Sequence, residues 1–544
     1  MNSNRKLPFW PVRLHRRTLP LLLSAAVLGA APAIGEDWTV RLGEHLARLK
    51  AHPDDTGARK AAWEAAMHLG LFEEAAALEA PLNAREQAQL EGDRIALRIR
   101  YGIIDTKTLP GPDRFLALDE ALTATNALAV AFYAGKPLDA EAQRRLTDRI
   151  SALAARHRSA DAVQLYETLL AQGYAVPIWA ERDVAGCYLE LRRPAEALAL
   201  YRKVVENNPD DFDGNLGLFY ALVETEQLDA ATAHIDQYAA RLPERRHRDG
   251  RYNGERLSAD ITADRVRMFA DRLDEAQARI DARHNALPYN SEARQSSASL
   301  ALARGWPRQG DEMLRRTLGS DPVNPSLYAD LSETRLALQD WPAARSALES
   351  AEALDPEHGA VRRAQRSYAL YNSYELYIEA GYGEGQEVNY FGSRDWSIDS
   401  YLYSRPIDER WRVFAHNYAA RAQFTGDSQS WTRTGAGLEW RWQDWRLTGE
   451  INDGSGVKAG ATGSARWQIN DQFSVYGTAE SVTNQIPMRA VADGIYASRG
   501  SVGADWRVNE SRKFGISLAS TNFSDSNLRR SANASWFERW LSSP

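Results

Sequence analysis

The stretch VKAGATGSARWQI, residues 457–469, puts Val457, Ala459, Ala461, Gly463, Ala465, Trp467 and Ile469 on one side of an extended chain. Lys458, Thr462, Ser464, Arg466 and Gln468 fall on the other. Side chains of a strand alternate with period two, so the segment predicts a strand with one apolar and one hydrated face. The same alternation recurs on both sides of it. Leu438, Trp440 and Trp442 oppose Arg433, Glu439 and Arg441; Trp445, Leu447 and Ile451 oppose Arg446, Thr448 and Glu450. Val502, Ala504, Trp506 and Val508 oppose Arg499, Asp505 and Arg507. About nine or ten such segments, parted by Asn, Asp, Gly and Pro clusters, follow Tyr368.

Alternating strands also suit a soluble sandwich, and the aromatic residues decide against it. Phe, Trp and Tyr number 28 in residues 366–544 against 24 in residues 1–365. Trp411, Trp431, Trp440, Trp442, Trp445, Trp467 and Trp506 gather near predicted strand ends, as aromatic girdles at membrane interfaces do. An open sheet edge cannot stand unpaired in hydrocarbon, so the expectation is an antiparallel outer-membrane β-barrel over 368–544. Its candidate lumen-lining residues are Arg433, Glu439, Arg441, Arg446, Glu450, Lys458, Arg466, Glu480, Arg499, Asp505 and Arg507. Each could equally be an ion-pair partner holding neighbouring strands, and a register error of one residue would invert the whole set.

Upstream the period changes. Small residues recur at Ala197, Ala231, Ala276, Gly310 and Ala344, with spacings of 34, 45, 34 and 34. Large apolar residues follow one helical turn later at Tyr201, Ile235, Ile280, Leu314 and Leu348, and prolines close the units at Pro209, Pro243, Pro288, Pro322 and Pro356. A small side chain lets antiparallel helices approach, the next turn fills the gap, and proline stops the second helix. This is the tetratricopeptide pattern. An earlier unit shows at Ala162 and Tyr166, and degenerate helix pairs extend back to Trp38, as in Leu71-Phe72-Glu73-Glu74-Ala75. The long spacing holds an insertion with Arg245, Arg246, His247, Arg248 and Arg251, readable as a docking patch or a solvated loop. The fold class is therefore α + β multidomain: a tetratricopeptide-like α-solenoid over 34–367, then an incomplete barrel.

Residues 1–33 read as a signal peptide. Arg5, Lys6, Arg13, Arg16 and Arg17 precede an apolar run from Leu19 and the triplet Ala31, Pro32, Ala33. The chain of 544 residues has 66 Lys+Arg, 73 Asp+Glu and a net charge of −7, which falls to −12 on removal of those five cations. No global basic field is left for a nucleic acid. Cys187, the single cysteine, excludes disulfides and thiolate metal cages, and its predicted helical setting makes it a small core residue. Asp210-Asp211-Phe212-Asp213-Gly214 resembles a calcium loop, but aligning Gly214 with the turn glycine puts Pro209 and Tyr220 at ligand positions, so helix capping is expected instead. There is no zinc-protease, P-loop or nucleophile-elbow motif, and neither a cofactor nor catalysis is expected.

A repeat array leading directly into such a barrel resembles the exopolysaccharide export porins. Within them DWSIDSYLYSRPI (395–407), ERWRVFAH (409–416), QIPMRAVADGIYASRG (485–500) and NFSDSNLRRSA (522–532) resemble the poly-β-1,6-N-acetyl-D-glucosamine export porins. The resemblance implies export of a partly de-N-acetylated exopolysaccharide through the barrel into a biofilm, repeats that engage a periplasmic deacetylase and the emerging polymer, and a barrel set in outer-membrane lipid. Barrels of this family have about sixteen strands, so about six are expected to be missing and the chain to be C-terminally truncated. Export of another polymer such as cellulose is the nearest alternative. A surface-protein assembly or phage-receptor barrel with protein-binding repeats is the other.

Overall fold

The computed structural model describes residues 37–109, 111–384, 394–424, 427–454 and 457–541, and the expected signal peptide lies outside them. The chain divides into two compact units, one ending at Arg94 and the other starting at Ile95. In the first, the helices Trp38–Ala51 and Thr56–His68 are capped by Asp37 and Asp55. Trp63, Ala66, Ala75 and Leu90 form its core. Among the described residues no single helix is long and apolar enough to cross a membrane.

The second unit holds the helical array and the sheet. Each anchor predicted from the period is buried where helices meet: Ala197, Ala231, Ala276, Gly310 and Ala344, with Tyr201, Ile235, Ile280, Leu314 and Leu348 one turn on. The five prolines lie in the turns that follow these helices. Asn290 and Asn324, two residues after Pro288 and Pro322, then cap the next helices, a stop and a start in one short phrase. Asp211 does the same after Pro209, accepting from the Gly214 N–H at 2.6 Å, so the calcium-like motif is a cap. The insertion after Pro243 closes through an Arg245–Tyr252 bridge before Asn253 caps the helix Gly254–Phe269. Cys187 is buried in the main core, where burial pushes its thiol up to about 12.

A second period, invisible in residue type, lies in the turns between paired helices. His157, Arg192, Glu226, Asp271 and Gln339 have φ from 57° to 60°, and Gly305 has φ +82° in the same place. Each following N–H bonds five residues back, as Gln227 to the Leu222 carbonyl at 2.9 Å. These are Schellman closures, which satisfy helix-end carbonyls at a cost of about 1 kcal/mol per left-handed non-glycine residue.

The array turns back on itself, so that its last helices meet its first. Arg114, 3 % exposed, donates to Asp355 at 2.5 Å and to the Gly111 carbonyl at 2.7 Å. Arg156 bridges Asp119 at 3.0 Å and Glu357 at 3.1 Å, and Arg362 reaches Glu190 at 3.4 Å. The last helix, Gly359–Tyr371, runs past residue 367, the expected end of the helical region, because Val361 and Ala364 still pack on Leu348.

Ten strands follow: β1 (Glu375–Glu384), β2 (Arg394–Tyr403), β3 (Trp411–Phe424), β4 (Asp427–Trp442), β5 (Trp445–Gly454), β6 (Val457–Gln468), β7 (Phe473–Glu480), β8 (Ala497–Asn509), β9 (Arg512–Phe523) and β10 (Leu528–Glu538). They form one antiparallel sheet in chain order. The array's turns lie on the connections of this sheet in reverse order. Arg539, after β10, pairs with Asp271. Trp306 Nε1 donates to the Val508 carbonyl at 2.9 Å, and Arg308 reaches Asp444 at 2.5 Å and Asp471 at 3.3 Å. The Gln443 N–H donates to the Gln339 carbonyl at 3.3 Å, while Arg345 and Tyr368 hold Glu409.

Two outcomes test the closure of the array. Asp355→Ala strands a buried guanidinium and is expected to lower unfolding stability by about 3 kcal/mol, whereas Arg114→Met with Asp355→Leu is expected to recover most of that loss; denaturant unfolding of the full chain measures both. The His157 ring, followed by Ser159 and the Arg362 charge, holds the Glu190 carboxyl down at about 2. A depressed carboxylate contributes stability above its unfolded pKa and loses it below, so thermal stability is expected to fall from about pH 4.5 toward pH 2, less steeply in Glu190→Gln.

Candidate functional site

The strand register sorts side chains onto two faces. Trp440, Leu447, Ala465, Gly477, Val502 and Leu518 stand opposite one another through successive pairings. This face is open: Ile451 is 73 % exposed and Val502 61 %. At the strand ends nearest the array, rings run along it from Trp411 and Trp440 (centroids 6.3 Å) through Trp445 and Trp467 (5.4 Å) to Phe473, Trp506, Phe514 and Trp536. An exposed apolar band edged by aromatic rings is what a lipid-facing surface requires.

Trp431 departs from the expected girdle. It is wholly buried on the opposite face, near the far end of β4, against Ile486, Val491 and Ala497, with Tyr418 edge-on at 5.8 Å. Its odd number gives it the parity of Arg433, not of Trp440. The partner is the connection between β7 and β8, whose short helix Met488–Ala492 folds over β4. Arg433 donates to the Val482 carbonyl at 2.7 Å, and Arg529 of β10 donates to the Gln485 carbonyl at 2.7 Å. That connection thus lies across the inner face and ties strands far apart in the sheet.

All eleven residues singled out by alternation stand on this inner face. Glu439, fully buried, accepts from Arg441 at 3.0 Å and Arg446 at 2.6 Å. Arg466 lies over the Tyr476 ring at 4.8 Å and reaches Asp505 at 3.3 Å. Glu480 accepts from Thr483 at 2.8 Å, and Arg499 donates to Thr521 at 3.4 Å. Lys458 sits 5.1 Å from the Tyr496 ring. Glu450 accepts from Asn452 and lies 2.8 Å from His416 Nδ1. Arg507 stands against Gly305.

Sequence reasoning missed His416, Asp399 and Tyr401. His416 Nε2 is 2.7 Å from Asp399, and its ring is stacked on Tyr401 at 4.1 Å. ERWRVFAH carried the signal, since Arg412, Phe414 and His416 share the parity of Arg433 through the β3–β4 register. Aromatic residues on both faces of β3 hid it. Charges, hydroxyls and rings gathered on one face can hydrogen-bond and stack on a hydrated chain.

Residues 370–544 match the PgaA membrane beta barrel domain, and residues 188–250 match a tetratricopeptide repeat family. The sheet region is thus similar to that barrel domain along its whole length. The chain is 27% identical over 543 residues to the poly-beta-1,6-N-acetyl-D-glucosamine export proteins of Escherichia coli K12 and O157:H7, covering 96% of this chain and 66% of each relative. Among solved structures, a bacterial polysaccharide outer membrane secretin aligns at 31% identity and TM-score 0.29, over 32% of this chain and 59% of the other. A tetratricopeptide repeat protein from Parabacteroides merdae aligns at 14% identity and TM-score 0.38, over 50% and 99%. The chain thus joins tetratricopeptide-like repeats to an antiparallel sheet similar to the PgaA membrane beta barrel domain.

The two arginine contacts on the β7–β8 connection give a test. Arg433→Gln removes the charge-assisted bond to Val482 and leaves Trp431 less firmly covered. Trypsin is expected to cut at Arg489 faster, by about tenfold, than in the unaltered chain, with near-ultraviolet dichroism of the tryptophans reduced. An unchanged cleavage rate would show that the connection is held elsewhere.

Proposed function

We propose that the chain exports poly-β-1,6-N-acetyl-D-glucosamine across the outer membrane. The observation that carries this reading is similarity to export proteins of that polymer along 96% of the chain, repeats and sheet together. The physics agrees with it. A sugar polymer bearing hydroxyls, amides and some ammonium groups would lose several kcal/mol per unsatisfied group in hydrocarbon, so it needs a wet, polar path. The inner face offers one, and the eleven charged residues on it are proposed to line the lumen. The exposed face with its aromatic band is proposed to meet outer-membrane lipid. On this reading the helical array stands in the periplasm, where it would receive the polymer and a periplasmic deacetylase acting on it. The relatives are export proteins, and no catalysis is asked of this chain.

An inside–outside pair of substitutions tests the reading. In a bacterium that makes the polymer but lacks its own exporter, the chain is expected to restore surface polymer measured by an N-acetylglucosamine-binding lectin. Ser464→Trp, on the inner face of β6, is expected to cut the lectin signal at least several-fold, while Ala465→Trp, on the exposed face, leaves it unchanged. Equal loss from both at equal membrane abundance would reject the inner face as the path.

A further inference from the structure

The end of the inner face nearest the array sets like charges directly opposite one another. Arg441 faces Arg446, Arg446 faces Arg466, and Arg507 faces Lys513 across adjacent strands. Such pairs are destabilising, so a sequence selected for stability alone would not gather them. Carboxylates offset them incompletely. Glu439 serves Arg441 and Arg446, and Asp505 serves Arg466 at 3.3 Å and Lys513 at 3.6 Å. Among the described residues Arg507 has no carboxylate partner.

The array supplies the other wall. A cavity of about 480 Å³ lies between these strands and the turn at Gly305. A Cβ on Gly305 would fall 3.0 Å from the Arg507 guanidinium carbon. Five other turns of the array place His, Arg, Glu, Asp and Gln in the same left-handed position, so backbone conformation alone does not demand glycine here. What the missing side chain permits is the close approach of the Arg507 guanidinium. Arg308, on the same wall, is already neutralised by Asp444 and Asp471, which leaves Arg507 as the open charge.

We infer that this cavity is a binding site for an oxyanion, a carboxylate or phosphate group, held by Arg507 with Arg466 and Lys513. Planar guanidinium groups bind such oxygens two at a time, and a bound anion would offset the opposed cations around it. The inference does not rest on the export reading. A group carried on a sugar chain and a free ion share this chemistry, and two probes separate them.

Detergent-purified full chain is titrated with inorganic phosphate and with trigalacturonate, by calorimetry and by shift in melting temperature. Binding of either probe at a single site, weakening as sodium chloride rises, is expected, and Arg507→Gln is expected to lower the affinity about tenfold. Competition between the probes assigns the site to a sugar-borne group, and binding of phosphate alone assigns it to a free ion. Without ligand, Arg507→Gln is expected to melt at the same or a higher temperature, because a repulsion is removed and no ion pair is lost. No binding of either probe, equal affinity in the variant, or a melting temperature lowered by the substitution alone overturns the site.

Discussion

Hydrocarbon offers a backbone no hydrogen bonds, and the sheet is arranged around that fact. Every described strand from β2 to β9 pairs on both sides, which leaves side chains as the only groups free to choose a medium. With a period of two, one face must then be apolar along its whole length and the other is released from that demand. Ile451 and Val502, large and exposed, would be errors on a water-soluble sheet and fit a lipid-facing one. The polar inner face depends on the same constraint, because only a surface turned away from lipid can gather Glu439 and Asp505 with their arginine partners.

The junction between array and sheet depends on a match of spacings. Adjacent helices pack about 10 Å apart, so one helix pair advances roughly 20 Å. Strands lie about 4.8 Å apart, so a hairpin advances about 10 Å, rather more when tilted. Tilt brings the ratio to between one and two hairpins per repeat, and the contacts agree: the turns from Asp271 to Tyr368, about three repeats apart, span the four hairpin steps between the end of β10 and the β2–β3 connection. The turn of Trp306 and Arg308 meets the connections at Asp444 and Asp471 and the end of β8 at Val508, and the next, at Gln339, meets Gln443 beside Asp444. Short Schellman turns, not long loops, make the fit possible, since they keep every helix end the same length.

How much was legible in the sequence follows from how local each signal is. Ala276 with Ile280 and Pro288, or Lys458 beside Ala459, declare helix pair and strand within a dozen residues, and both elements form as read. The partnership of His416 with Asp399 and Glu450 depends on strand register, which no single segment encodes. Trp431 shows a different limit. Composition counts it with the girdle, but parity with Arg433 places it inside, and the deciding partner, Ile486, is the cover folded over the inner face from another connection. The left-handed turns were hidden because His157, Arg192 and Glu226 carry none of the glycine that usually marks them. The helix Gly359–Tyr371 outran its expected end for the same kind of reason, a packing contact and not a local stop signal.

Charge along the inner face is uneven, and the scale of screening makes the unevenness matter. Arg446 and Glu450 share one face of β5, four residues apart and thus roughly 13 Å, which exceeds the Debye length of about 8 Å at physiological ionic strength. A group moving along the face therefore meets the arginines near the array and the Asp399, His416 and Glu450 cluster as two separate fields. The first is basic, with Arg441, Arg446, Arg466, Arg507 and Lys513 set against Glu439 and Asp505; the second mixes carboxylates with Arg433, Lys458 and Arg499. Neutral N-acetylated sugars are indifferent to both, whereas an ammonium group is opposed at the array end and balanced beyond it. On the export reading, an anion seated against Arg507 would lower that first barrier by offsetting the opposed cations around it.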